Sequence, residues 1–267
     1  GAMGTMLQKH SLPAAQSLVH LNVTAPDLVL EVHRLYALAG ADCATTNTFG
    51  GTRLKLDAYG LGDQVAELNR AAVRLARASG TPHILGELGP SGAVLEPLGS
   101  TTFDRLFDAF AEQASALASE HPDAINIATM TDIAEARCAV LAARSVTDLP
   151  VFATCTFGLS GRMDLSGTDP ETVAVILEAA GASAVGINCG LGPEQLLPLV
   201  ERMARATALP IIVRPNAGLP KLVDGVTVFP GTATEIGEYA ARFVDPGATL
   251  VGSCCGTTPE FTGSLAD

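Results

Sequence analysis

Val151-Phe-Ala-Thr-Cys-Thr-Phe157, then Asp169-Pro170 leading Val173, Ile176 and Leu177 to Gly181, then Ala184-Val-Gly-Ile-Asn-Cys-Gly190: this stretch reads as strand, helix, strand. The two outer runs are apolar on both faces, as buried parallel strands are. In the middle segment Asp169 caps the first N–H groups and Pro170 fits the first turn. The apolar residues there recur at helical spacing until a glycine stops them.

The same alternation runs outward in both directions. Strand-like runs occur at Asp42–Asn47, His83–Gly89, Ala124–Thr129, Pro210–Gly218 and Thr249–Gly256. Helical segments lie between them. Thr24 precedes Leu28, Val32 and Leu35, a series that stops at Gly40. Phe103, Leu106, Phe107, Phe110, Ala114 and Leu117 form one stripe, and Asp132 with Glu135 has capping-box spacing. Pro193 opens a helix that Pro198 is expected to bend or shorten. Thr232 or Thr234 starts another, carrying Ile236, Tyr239 and Phe243. Val223-Asp224-Gly225-Val226 reads as a small hairpin turn. Seven strand–helix alternations imply an α/β fold, a (β/α)8 TIM-type barrel filling residues 1–267 as a single domain. One strand is missing from that count: the first either precedes Gly1 or is absent. A doubly wound open sheet is the alternative, and no Gly-rich dinucleotide fingerprint follows any strand.

Composition narrows the function classes. The 267 residues are 48% hydrophobic and 4% aromatic, with no Trp, so the core is aliphatic. A net charge of −12 repels a phosphate backbone, which argues against nucleic acid as a partner. No apolar run reaches the ~20 residues that span a bilayer, and no secretory leader pattern opens the chain. A cytoplasmic protein with no membrane partner is expected. Six cysteines are too sparse for a disulfide scaffold.

In a barrel, function gathers at the C-terminal strand ends. Cys189 ends one run and the Cys254-Cys255 pair ends another. Three thiolates with one open coordination position are the pattern of catalytic zinc, which deprotonates an incoming thiol. Adjacent cysteines cannot both chelate from a regular strand, but Gly252 and Gly256 flank the pair and let the strand break up. Cys43, Cys138 and Cys155 read as small buried hydrophobes. A redox dithiol is the competing reading, although the pair lacks C-x-x-C spacing.

Several motifs occur in order along the chain. They are Gly1-Ala-Met-Gly-Thr-Met, Thr46-Asn-Thr-Phe-Gly, Gly89-Pro-Ser-Gly, Gly186-Ile-Asn-Cys-Gly, Pro215-Asn-Ala-Gly and Gly252-Ser-Cys-Cys-Gly-Thr-Thr-Pro. Together they resemble the homocysteine S-methyltransferase family, most closely its homocysteine-binding methionine synthase modules. The resemblance implies a (β/α)8 barrel, zinc held by Cys189, Cys254 and Cys255, and transfer of a methyl group to a thiol in methionine biosynthesis. It implies Asn216 as a fourth zinc donor until substrate arrives; bracing a turn is the alternative. It places Ala2, Gly4 and Thr5 in the loop that receives the amino-acid end of homocysteine.

One departure bears on substrate. Ala128 stands where relatives carry a Glu that holds the substrate ammonium, so either another acid compensates or the thiol is not homocysteine. Glu87 is the candidate substitute, a structural role being its other reading, and Asp132 reads as a helix cap. The methyl donor is open among methyl-corrinoid, S-methylmethionine, S-adenosylmethionine and betaine. A methyl-corrinoid protein docking over the barrel mouth is one expected partner, and in that reading the chain is a partner-dependent or non-catalytic binding module.

Overall fold

The computed structural model describes residues 1–10, 16–223 and 226–266. Its strands are β1 (Cys43–Thr45), β2 (His83–Leu88), β3 (Ala124–Met130), β4 (Val151–Cys155), β5 (Ala184–Asn188), β6 (Ile211–Arg214), β7 (Lys221–Val223), β8 (Val226–Val228) and β9 (Ala248–Val251). Seven of them form one parallel sheet in the order β1-β2-β3-β4-β5-β6-β9. Leu85 of β2, Asn126 of β3 and Ile212 and Arg214 of β6 line one cavity, so the sheet is curled. It is a barrel-like half-cylinder of TIM type. Among the described residues β1 and β9 are its two edges.

Helices cover the outer face. Pro26–Leu38 precedes β1, and Val65–Ala78, Phe103–Ala118, Ile133–Val146, Pro170–Ala179, Pro193–Ala204, Ala233–Val244 and Pro259–Ala266 follow the sheet strands in turn. One contiguous core joins the outward strand residues Ile84, Ile125, Val151, Val185 and Val213 to the inner helix faces, with Phe110, Leu117, Val173 and Leu196 fully buried. At about 25 cal/mol per Å² of apolar surface, this burial is the main force holding helices to sheet.

The helix starts obey the expected chemistry. Asp169 accepts from Thr172 N–H at 2.9 Å and Thr232 from Glu235 N–H at 3.2 Å. Asp132 caps its helix, but Glu135 does not complete a capping box. Its Oε1 accepts instead from Ser91 N–H at 2.8 Å and Ser91 Oγ at 2.5 Å, lacing the Gly89-Pro-Ser-Gly loop to the helix behind β3. Pro198 does not shorten its helix, which runs on to Ala204 because Leu199, Val200 and Met203 bury their faces beyond it. Thr24 ends a short turn, and Pro26 opens the helix after it. β7 and β8 pair antiparallel as a hairpin requires; its turn residues Asp224 and Gly225 lie outside the described residues.

Candidate metal and thiol site

Parallel strands bring the ends of β5, β6 and β9 side by side. Cys189 N–H donates to Arg214 C=O at 3.0 Å, Gly252 N–H to Val213 C=O at 2.9 Å and Cys254 N–H to Pro215 C=O at 2.8 Å. Beyond these bonds the chain leaves regular strand geometry. Cys189 has φ 63° and Gly190 φ 68°, which turns the Cys189 side chain out of the alternation. Gly256 has φ 80°, and a Cβ there would collide with the Phe229 ring. That kink lets two adjacent cysteines serve one point.

The three Sγ atoms of Cys189, Cys254 and Cys255 lie within 4.8 Å of one another. Cys189 and Cys255 Sγ are 3.6 Å apart. A metal with bonds of about 2.3 Å to tetrahedrally placed sulfurs sets them about 3.8 Å apart, so the cluster could hold such an ion. The three thiols perturb one another. Hydrogen bonds from Cys254 and Cys255, outweighing burial, pull the Cys189 thiol down to about 3. The Cys189 sulfur in turn pushes both neighbours up, with burial adding to the effect. Burial pushes Cys43 up, Cys138 up to about 12 and Cys155 higher still, as thiols outside the chemistry. Cys43 is only half-buried, whereas the other two are fully enclosed.

Hydrogen bonds clamp the cluster from below. Asn188 Nδ2 reaches Cys254 Sγ at 3.8 Å and Thr129 Oγ1 at 2.7 Å, while its Oδ1 accepts from Thr129 N–H at 2.8 Å and Thr154 Oγ1 at 2.7 Å. Thr257 Oγ1 donates to Cys254 C=O at 2.6 Å. Asn216 Oδ1 accepts from Cys255 N–H at 3.1 Å, which is a bracing bond, and its side chain also supports the Cys189 sulfur.

The other expected residues fall unevenly around these thiols. Ala2 N–H donates to Tyr36 Oη at 2.9 Å, and Tyr36 Oη reaches Thr257 C=O at 3.5 Å, tying the first residues to the cysteine loop. Gly4 and Thr5 lie in a short helix, Met3–Leu7, where Gly4 packs toward Leu18 and Thr5 Oγ1 donates to Ala2 C=O at 3.3 Å. Glu87 points into the half-cylinder, its strand end held by Thr46 and Thr48, which bond its N–H and C=O at 2.9 and 2.6 Å. Burial raises its carboxyl, the Arg214 charge and a Thr45 hydrogen bond opposing this. Ala128 is fully buried, on the same side of β3 as Asn126. Asn126, Thr154, Asn188 and Arg214 were not singled out from sequence; two-residue alternation along their strands is the signal that puts them inside.

The profile of the homocysteine S-methyltransferase family matches residues 1–267. The chain belongs to that family of methyltransferases. It is 34% identical to methionine synthase of Mycobacterium tuberculosis and 33% to that of Mycobacterium leprae, in each case over 100% of this chain. It spans 24% of the length of either relative. Among solved structures it is similar to the metallated homocysteine methyltransferase MmuM from Escherichia coli, with a TM-score of 0.82, 25% identity and coverage of 100% of this chain and 93% of that one. Within the homocysteine S-methyltransferase family, then, this member sets its three clustered cysteines above a polar interior. Among the described residues no helix is long and apolar enough to cross a membrane.

Proposed function

We propose that this chain binds zinc through Cys189, Cys254 and Cys255 and methylates the sulfur of a small thiol, homocysteine or a relative of it. The observation that carries the reading is the convergence of three Sγ atoms within 4.8 Å at the mouth of the half-cylinder. Zinc held there lowers the pKa of a thiol that enters its open position, making that sulfur nucleophilic at neutral pH. The chain's own residues supply the rest. The strained turn at Cys189 and the kink at Gly256 aim the three sulfurs, and Asn188 and Thr257 keep Cys254 from swinging away. Asn216 braces the Cys255 backbone through the same oxygen that would serve as a fourth donor. We extend the fold reading to an eight-stranded closed barrel, with the remaining strand between β1 and β9. Both edges flank one cavity of about 310 Å³, and Pro26–Leu38 is the helix such a strand would lead into.

The methyl donor, in this proposal, comes from a separate body docking over the mouth, a methyl-corrinoid protein being the type expected. Exposed apolar side chains beyond the C-terminal ends of β2, β4 and β6 support it: Leu98 and Leu159 on loops and Leu222 on β7 are 80%, 76% and 76% exposed. The test begins with zinc content after mild purification, in wild type and Cys254→Ser. Wild type is expected to retain stoichiometric metal and to methylate homocysteine with a suitable donor. A Cys254→Ser protein that keeps both metal and turnover overturns the assignment.

A further inference from the structure

Asn188 holds Cys254, and Asn188 is itself held by a strained turn on another strand. Thr129 has φ 62°, in the left-handed region that a β-branched residue enters only under strain. It sits in a bulge. Ile127 pairs with Ala153 and Met130 with Cys155, so Ala128 and Thr129 together stand opposite Thr154. β4 and β5 keep regular register beside it, which confines the irregularity to the end of β3. These strands lie in the middle of the sheet, away from both edges. Asn188 fastens the bulge from β5. Its Oδ1 accepts from Thr129 N–H at 2.8 Å and Thr154 Oγ1 at 2.7 Å; its Nδ2 donates to Thr129 Oγ1 at 2.7 Å and to Cys254 Sγ at 3.8 Å. Asn188 is buried, and these four bonds use the whole capacity of its amide. The residue after it, Cys189, is left-handed as well, at φ 63°. One amide therefore ties the turn at Thr129 to two of the three clustered thiols, to Cys189 through the chain and to Cys254 through a hydrogen bond. Glycine would take φ 62° without strain but would offer Asn188 no hydroxyl.

We propose that Thr129 is a positioning residue for the metal-binding thiols: its strained bulge, acting through Asn188, fixes the Cys254 sulfur against Cys189 and so sets the affinity and geometry of the metal site. The reason is orientation. Without the Thr129 hydroxyl, one Nδ2 hydrogen of Asn188 is stranded in a buried place. The amide then turns to find it a partner and takes the other hydrogen off Cys254 Sγ. An N–H donated to a thiolate also draws charge from that sulfur, so its loss alters what the sulfur gives to a bound ion. The inference rests on the zinc reading and goes beyond it, since β3 supplies none of the three thiols.

Thr129→Val keeps the branching of the side chain and removes only the hydroxyl, whereas Thr129→Ser keeps the hydroxyl. Zinc affinity of the full chain, from competition with a chromophoric chelator, should fall roughly ten- to a hundredfold in Thr129→Val and stay within about threefold of wild type in Thr129→Ser. Thr129→Gly takes the same backbone conformation without strain and should lose affinity as the Val variant does, which guards against a Val protein that fails to fold. With cobalt(II) in place of zinc, the thiolate-to-metal charge-transfer bands should shift in Thr129→Val and not in Thr129→Ser. Cys155→Ala, at a buried thiol outside the cluster, controls for general loosening and should leave the cobalt spectrum unchanged. A further measurement needs no metal: iodoacetamide should alkylate Cys254 of metal-free Thr129→Val several-fold faster than that of wild type, followed residue by residue by mass spectrometry. Wild-type zinc affinity and cobalt bands in Thr129→Val, or equal changes in Thr129→Val and Cys155→Ala, overturn the proposal. A wild type that takes up no metal refutes the zinc reading separately; the alkylation rates then decide, and unchanged labelling of Cys254 in Thr129→Val overturns the role of Thr129.

Discussion

Replacing Glu135 by Ala tests what the Gly89-Pro-Ser-Gly loop depends on. Glu135 is 5% exposed and Ser91 3%, so water cannot replace the carboxylate without opening the loop. Its Oε1 satisfies two donors, the Ser91 N–H at 2.8 Å and the Ser91 hydroxyl at 2.5 Å. Each buried donor stranded by the change costs about 1–3 kcal/mol. Against this, the variant is relieved of burying a carboxylate, and burial outweighs the Ser91 bonds in setting its pKa, which lies above the ordinary value. A net loss of about 2 kcal/mol follows from those opposing effects, or roughly 4–8 °C in midpoint for a chain of this size. Urea and thermal unfolding followed by circular dichroism measure it. The Ser91→Ala, Glu135→Ala pair should be less destabilised than the singles sum to, by about 1–2 kcal/mol. The sign with pH is also set. A raised carboxyl pKa means that this group's contribution is complete below the ordinary carboxylate range and is lost as pH rises through its folded value. Glu135→Gln should flatten that slope. An Ala variant within about 0.5 kcal/mol of wild type, with no coupling to Ser91, would refute the account, since that is the range of an ordinary surface change.

Further outcomes follow from the same geometry. Gly256→Ala forces a side chain into φ 80° against the Phe229 ring, which should cost about 2–4 kcal/mol and lower zinc content, read by unfolding and metal analysis. Cys138→Ala and Cys155→Ala lie away from the thiol cluster and should keep full metal stoichiometry while losing some stability. Breaking the bidentate Arg202–Glu171 pair at 2.7 Å should cost under about 1 kcal/mol, because both ends are solvated, and chemical denaturation checks this.

Local chemistry was legible in the residues themselves. Apolar runs buried on both faces announce parallel strands, and Asp132, Asp169 and Thr232 announce helix starts, because strand burial and capping depend on neighbours in the chain. The Cys254-Cys255 pair beside two glycines was equally readable as a broken strand end. What needed the folded chain was convergence. Asp132 and Glu135 have the spacing of a capping box, yet Glu135 turns to Ser91, far away in sequence. Pro198 fails to shorten its helix because burial beyond it offsets one lost hydrogen bond. Arg214 reads as a charged strand-end residue until curling of the sheet faces it toward Thr154 and Asn126 inside a shared cavity. Periodicity and capping are short-range and survive in one dimension; which side chains meet across a curled sheet depends on register and curvature, and those arise only when all seven strands pack together.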